Sequence, residues 1–312
     1  MIMMKEEDNT RIGIIGTGDI SRAFIKNANI LNCNVTSVLS RNIQKAKDFA
    51  NDYHIQNAYD NFEQFIKEIN IVYVATPNHT HYQYARKALL KCKHVLLEKP
   101  FTLNVEEAKE LFYIAEENKV FILEVDRVNF LPNYEIIRKS INNPELINIA
   151  FCKRSRRYDD YLKGLKPHLF DAKCGGGSLN DLGVYTLHFI VGLFDKIEDF
   201  KYECVEDNYG VDLYGVIKLK SNKTIININL SKINGPYTGL KILDKVQIES
   251  NYPVSRLDTI TVNNICYKHD YENFYYFIKE ALRIISEKDK KVYINQMNKT
   301  IRVLELMTNL KK

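Results

Sequence analysis

His94-Val95-Leu96-Leu97-Glu98-Lys99-Pro100-Phe101 decides how this chain is to be read. Val95, Leu96 and Leu97 form the apolar run of a short buried strand, and Pro100 lacks the N–H that a ladder needs, so the strand has to leave its sheet there. Glu98 and Lys99 are thereby set at a strand's carboxyl edge, which in a parallel α/β sheet is where ligands bind. Alone, the same residues describe an exposed Glu-Lys pair at a strand end, so their meaning depends on what the neighbouring sequence builds.

Ile12-Gly13-Ile14-Ile15 runs into Gly16-Thr17-Gly18-Asp19-Ile20-Ser21, after which Ile20, Ala23 and Phe24 recur at helical spacing: strand, glycine turn, helix. Gly16 and Gly18 match the first two glycines of the dinucleotide fingerprint, which allow the tight turn and bring a pyrophosphate to the free N–H groups of a helix start. Ser21 stands where a third glycine is usual. Glycine turns before helices are common, and repetition gives this one its weight. Val35–Leu39 reads as a strand before a helix marked by Ala46, Phe49 and Ala50, and Phe62, Phe65, Ile66 and Ile69 mark another helix. Ile71–Ala75 is a buried strand, Ala85, Ala88 and Leu89 line the next helix, and His94–Leu97 follows as a further strand. Asn104 with Glu107 caps a helix carrying Val105, Ala108, Leu111, Phe112 and Ala115, and Val120–Val125 is a sixth strand. Such alternation predicts a doubly wound parallel sheet over residues 1–125.

The cofactor can be argued at one position. An acid at the end of the second strand, about 20 residues after the glycines, holds the ribose of NAD. Here Ser40-Arg41 stands in that place with Lys45 one helical turn on, and two cations suit a 2′-phosphate, so NADP is expected over NAD. Thr76-Pro77-Asn78-His79-Thr80-His81 follows the fourth strand on the same edge; with no Cys or acidic cluster beside the two histidines, it reads as a loop at the nicotinamide ribose rather than a metal site. The expected cofactor contacts are Gly16, Thr17, Gly18, Asp19, Ile20, Ser40, Arg41, Lys45, Thr76, Pro77, Asn78, His81, Glu98 and Lys99.

Composition narrows the classes. The 312 residues allow two cored units, and 45% apolar with 27% charged residues is ordinary for a globular chain. A net charge of +5, spread among acids, gives little support to nucleic-acid binding. Six scattered cysteines without a Cys-x-x-Cys pair indicate neither disulfides nor zinc, and reduced thiols suit a cytoplasmic protein. Met1–Thr10 lacks the apolar core of a signal peptide, and Leu182–Phe194 is too short to span a bilayer, which takes about 20 residues.

The second half changes pattern. Strand-like runs at Leu146–Cys152, Gly210–Leu219, Lys223–Leu230, Lys241–Glu249 and Thr259–Tyr267, joined by short turns, predict a meander, followed by two amphipathic helices. Between them, Gly175-Gly176-Gly177-Ser178-Leu179-Asn180-Asp181-Leu182-Gly183-Val184-Tyr185 reads as a flexible glycine entry to a helix, with Ser178 and Asp181 spaced as a capping box. Beyond the cap, Asp181, Tyr185 and His188 recur at helical spacing, giving one face an acid, a phenol and an imidazole. Gly183, unfavourable by about 1 kcal/mol inside a helix, suggests a close approach there.

Taken together, Gly13-x-x-Gly16-x-Gly18, Ala75-Thr76-Pro77-Asn78 with His81, Lys93 through Pro100, and Gly175 through Tyr185 resemble the glucose-fructose oxidoreductase/inositol dehydrogenase (Gfo/Idh/MocA) family over essentially the whole chain. The resemblance implies an N-terminal Rossmann domain, 1–125, and a C-terminal α+β domain, 126–312, with an open, mostly antiparallel sheet through which the protein forms a homodimer or homotetramer. It also implies a cis Lys99–Pro100 bond and hydride transfer between a nicotinamide cofactor and a sugar, cyclitol or related diol. Lys99, Tyr185 and Asp181 are then the catalytic candidates, Tyr185 exchanging the hydroxyl proton with Lys99 stabilising its phenolate. Lys99, Asp181, Tyr185, Arg127 and His168 are the candidate substrate contacts. The chain departs from the family at Asn129, where arginine is frequent; Arg127, two residues earlier, is a candidate substitute. Lys153, Arg154, Arg156 and Arg157 suit either an acidic substrate or a solvated strand end. The rival reading is a catalytically silent cofactor-binding regulatory or partner protein, which Asn129 favours and the joint presence of Lys99 and Tyr185 disfavours.

Overall fold

The structure, a computed structural model, describes residues 10–312; the charged run 1–9, on which the signal-peptide reading rests, lies outside it. Six parallel strands, β1 (Arg11–Ile15), β2 (Asn34–Leu39), β3 (Asn57–Tyr59), β4 (Ile71–Val74), β5 (His94–Leu97) and β6 (Ile122–Glu124), form one sheet in the order β3-β2-β1-β4-β5-β6. β4 is buried at every position, as expected of a strand covered on both faces. Helices α1 (Asp19–Ile30), α2 (Ile43–Tyr53), α3 (Phe62–Phe65), α4 (His81–Leu90) and α5 (Val105–Glu117) cover it. Three of these start on an asparagine whose side chain accepts from the third helical N–H: Asn42 from Lys45, Asn61 from Gln64 and Asn104 from Glu107. Strand order reverses between β1 and β4, so a crevice opens beyond their carboxyl ends.

The second sheet has eight strands: β7 (Leu146–Cys152), β8 (Asp199–Glu206), β9 (Asp212–Ser221), β10 (Thr224–Ser231), β11 (Tyr237–Leu243), β12 (Gln247–Ser250), β13 (Thr259–Val262) and β14 (Ile265–Lys268). Their order is β14-β13-β12-β11-β7-β10-β9-β8, antiparallel except where β10 runs parallel to β7. The expected meander is therefore interrupted: β7, first in the chain, lies in the middle, because it must shield Ile147 and Ile149 between β10 and β11. The runs read as Lys241–Glu249 and Thr259–Tyr267 are each a hairpin, the second turning at Asn263 and Asn264, both at positive φ. α6 (Pro132–Ser140), α7 (Tyr158–Leu162) and α8 (Val184–Leu193) belong to this half, and α8 is buried from Val184 to Val191.

The two terminal helices, α9 (Asn273–Glu287) and α10 (Lys290–Leu310), tie the halves together. α9 returns to the first sheet, where Phe274, Phe277, Ile278, Ala281 and Ile284 enter its core beside α1. α10 gives Leu304 to that core but Val303, Leu306, Met307 and Leu310 to the other. A cut at Val125 thus follows the chain, while the packing crosses it. No helix among the described residues is long and apolar enough to cross a membrane.

Candidate active site

Gly16 has φ near +110°, and a Cβ there would lie 2.3 Å from the Ala75 carbonyl oxygen, so the turn after β1 needs glycine for its own packing. Gly18 is different: a Cβ on it would meet no atom within 4 Å, and no side chain caps α1. The open space lies over the unbonded N–H groups of a helix start, a cradle that fits a dinucleotide pyrophosphate. Asp19 is exposed, while Thr17 and Ile20 are half-buried. Ser21 is fully buried with its hydroxyl unpartnered, so it packs where the third glycine would. Beyond β2, Ser40 is half-buried and accepts from Asn42 N, and Arg41 and Lys45 are both exposed.

At the next loop two of the residues expected to contact the cofactor have their side chains turned inward. His81 is buried, one ring nitrogen 2.9 Å from the Pro100 carbonyl oxygen and the other 2.9 Å from that of Thr76. It pins the Thr76-Pro77 loop to the Lys99–Pro100 bond, which is cis. Burial holds its pKa below the ordinary histidine value despite both carbonyls. Glu98 is likewise turned inward: Tyr73 donates to it at 2.8 Å, and it accepts from Lys99 N at 3.2 Å. Asn78 donates to the Gly175 carbonyl at 2.9 Å and so joins the first half to the glycine run of the second. Thr76 and Thr80 hydroxyls bond at 2.8 Å, closing the turn after Pro77.

The triple glycine is packed rather than flexible. A Cβ on Gly175 would strike Leu103, one on Gly176 the Leu169 carbonyl, and one on Gly177 the Asp212 carboxylate. The capping box does not form, because Ser178 donates to the Leu213 carbonyl at 2.6 Å and the helix opens with a π turn, Leu179–Gly183. A Cβ on Gly183 would press on Leu230 of β10 at 3.0 Å, which accounts for a glycine there.

This wide turn aims Asp181 across the cleft. Lys99 Nζ donates to Asp181 Oδ1 at 3.0 Å and to the Asp181 carbonyl at 2.9 Å, and lies 4.5 Å from the centre of the Tyr185 ring. Lys99 therefore meets the face of the phenol, and its oxygen is held by another cation: Arg127 Nη2 donates to Tyr185 Oη. Arg127 is buried, its guanidinium 4.6 Å from the ring centre of Phe274 on α9. Asn129 turns away, donating to Asp126. Sequence reasoning missed Lys232, whose Nζ sits 3.3 Å from Asp181 Oδ2. Burial raises the pKa of Asp181, but the two lysines outweigh it and hold the carboxyl below the usual range.

His168 is exposed as a residue, and the partial desolvation of its ring lowers its pKa although Asp181 opposes the shift. Arg154, Arg157 and Arg156 pair with Asp159, Asp160 and Asp19, the last contact reaching the glycine turn at 3.4 Å.

His188, one turn beyond Tyr185 in α8, does not join the Asp181 cluster. Its Nε2 is 3.0 Å from Glu124 Oε2 and its Nδ1 3.5 Å from Asp126 Oδ2, all three side chains being buried. Glu124 also accepts from Phe101 N at 3.1 Å and Thr300 at 2.7 Å, so the cluster joins β6, the loop after Pro100, α8 and α10. Burial lowers the His188 pKa and Lys299 opposes its charge, yet the two carboxylates prevail and raise it to about 9. A histidine whose folded pKa lies above its unfolded value of about 6.5 stabilises fully below that pH, and the stabilisation is lost as pH rises toward 9. The melting temperature should accordingly fall between pH 6.5 and 9.5, and His188→Gln, lower throughout, should flatten that fall; an equal slope in the variant would reject the assignment.

An open glycine turn at the switch point of a doubly wound sheet is the arrangement of dinucleotide-binding oxidoreductases. The profile of the Gfo/Idh/MocA oxidoreductase family, NAD-binding Rossmann fold, matches residues 10–126. Glucose-6-phosphate 3-dehydrogenase of Bacillus subtilis is 31% identical over 72% of this chain and 69% of its own. The chain belongs to the Gfo/Idh/MocA oxidoreductase family. Another relative, scyllo-inositol 2-dehydrogenase (NADP(+)) IolU of Bacillus subtilis, is 28% identical over 97% of this chain and 96% of its own. The fold is shared with the 3-ketoreductase KijD10 of Actinomadura kijaniata, crystallised with NADP and TDP-benzene, at TM-score 0.81 and 18% identity over 96% of each chain.

Proposed function

We propose that this chain is an NADP-dependent oxidoreductase that interconverts a carbinol and a carbonyl of a sugar, cyclitol or related diol. The observation that carries the reading is the meeting of Lys99 and Tyr185, from opposite halves of the chain, at the carboxyl edge of the first sheet. A bound nicotinamide dinucleotide supplies or takes the hydride at the substrate carbon. Tyr185 gives the proton to the carbonyl oxygen in reduction and takes it in oxidation. The Arg127 guanidinium donates to Oη and fixes the phenol oxygen where the proton is exchanged. Two of the three N–H donors of Lys99 are held by Asp181, and the third is left for the substrate oxygen. The NADP-dependent relative and the ketoreductase crystallised with NADP support the cofactor and the substrate class. The reading includes self-association through the outward face of the second sheet, which exposes Tyr214, Ile225, Tyr237 and Leu243.

The test is NADPH oxidation across keto-sugars, inososes and vicinal diketones. Turnover on at least one sugar-like carbonyl is expected; tight NADPH binding without turnover on any would favour a silent cofactor-binding protein instead. Cofactor choice is checked separately. With Arg41 and Lys45 on the 2′-phosphate, NADPH should bind ahead of NADH, and Arg41→Ala should remove about 1.5–3 kcal/mol of that preference, the range for hydrogen bonds to charged groups. Equal affinities for the two cofactors in the unmodified protein would reject the assignment.

A further inference from the structure

Lys232 follows β10 directly and continues the inward series Thr224, Ile226, Ile228 and Leu230. Its side chain is only 1% exposed, and a buried ammonium persists only where it is paired and hydrogen-bonded. Nζ donates to the Leu169 carbonyl at 2.8 Å and the Gly177 carbonyl at 3.4 Å, lies over the Phe170 ring at 4.9 Å, and stands 3.3 Å from Asp181 Oδ2. Asp181 thus divides its carboxylate, Oδ1 to Lys99 at 3.0 Å and Oδ2 to Lys232. One carboxylate thus pairs directly with two ammonium groups, while the Asp212 carboxylate attracts Lys232 more weakly from beyond contact distance. The Asp181 carboxylate cannot rotate without breaking one of the two contacts.

We propose that Lys232 is a positioning residue for the reaction: it holds Asp181 charged and oriented, so that Lys99 faces the substrate oxygen with a charge that Asp181 only partly offsets. This rests on the oxidoreductase reading for its catalytic consequence, but the Lys232–Asp181 coupling is a property of the protein alone. A role confined to pinning the loop through Leu169 and Gly177 would leave Asp181 unaffected, which separates the two.

The experiment follows the Asp181 carboxyl carbon by NMR, assigned by its disappearance in Asp181→Asn. In the unmodified protein it should titrate below ordinary aspartate, and in Lys232→Met its midpoint should rise by about 1–3 pH units, the effect of an opposite charge at this range. An Asp181 that titrates ordinarily in the unmodified protein overturns the proposal, whether or not Lys232→Met folds. So does a midpoint unmoved in Lys232→Met or, if that variant melts too low, in Lys232→Gln. In turnover, Lys232→Met should lower kcat about 10-fold or more with NADPH affinity unchanged, and should add nothing in an Asp181→Asn background, as for groups acting as a unit. A full further loss in that background would also overturn it. Absence of turnover in the unmodified protein would instead count against the oxidoreductase reading, while the titration still decides the role of Lys232.

Discussion

Tyr185→Phe is expected to reduce turnover by about 10²–10⁴-fold, the range for a positioned acid–base group, with NADPH affinity nearly unchanged. The substitution is narrow. Tyr185 is buried, its ring packs on Phe151 at 6.0 Å between centres and carries Lys99 on its face at 4.5 Å, and phenylalanine preserves both contacts. Only the hydroxyl is removed, and with it the acceptor of Arg127. The unmatched guanidinium should lower stability modestly, which a melting curve measures separately. If the phenol moves the proton, kcat falls while the KM for NADPH holds; a variant with near-normal kcat on its best substrate would remove Tyr185 from the chemistry.

Much of this was legible because local rules and the global fold agree. The apolar triplet before Glu98-Lys99-Pro100, the glycine turn after Ile15 and the Asn104 cap each specify a strand end or a helix start from a few neighbouring residues. β3 escaped because it has three residues at a sheet edge, with no run to detect. The glycine triplet reads as flexible because two of the groups it packs on, Leu103 and Asp212, lie distant in sequence. The direction of Glu98 and His81 was equally hidden: both stand at a ligand-binding edge, and only the fold reveals that Tyr73 and two carbonyls claim them. Lys232 did carry a signal, since strand alternation extended by one step points it inward. That signal has meaning only once Asp181 is known to be opposite, 51 residues away in the chain.

The π turn also sets Asp181 off the regular helical spacing of Tyr185 and His188. Spacing assigns Asp181, Tyr185 and His188 to one face, but the turn through Leu179–Gly183 is wider than an α-helical one and separates the acid from the regular helix after it. Asp181 swings to the lysines, and His188 is left one turn beyond Tyr185, facing Glu124 and Asp126. The candidate site and the joint between the halves therefore occupy adjacent turns of one helix.

Lys99→Met should be about as damaging as Tyr185→Phe, and the reason lies in what the substitution leaves behind. Methionine keeps the unbranched stem and removes the charge, so Lys99 stops donating to Asp181 Oδ1 and to the Asp181 carbonyl. In most buried pairs that would strand a carboxylate and threaten the fold. Here Lys232 still holds Oδ2, so the protein should fold and the loss should fall on kcat. Lys99 lies on the ring face and Arg127 at the phenol oxygen, so in the proposed reaction Lys99 serves the substrate oxygen and Tyr185 the proton that the same oxygen exchanges. Two groups that serve one oxygen in one transition state should not contribute independently: the double variant Lys99→Met/Tyr185→Phe should be little slower than the worse single one. Single-turnover rates for the four proteins, with NADPH saturating, measure this directly, and single losses that multiply in the double variant would show that the lysine and the tyrosine act in different steps.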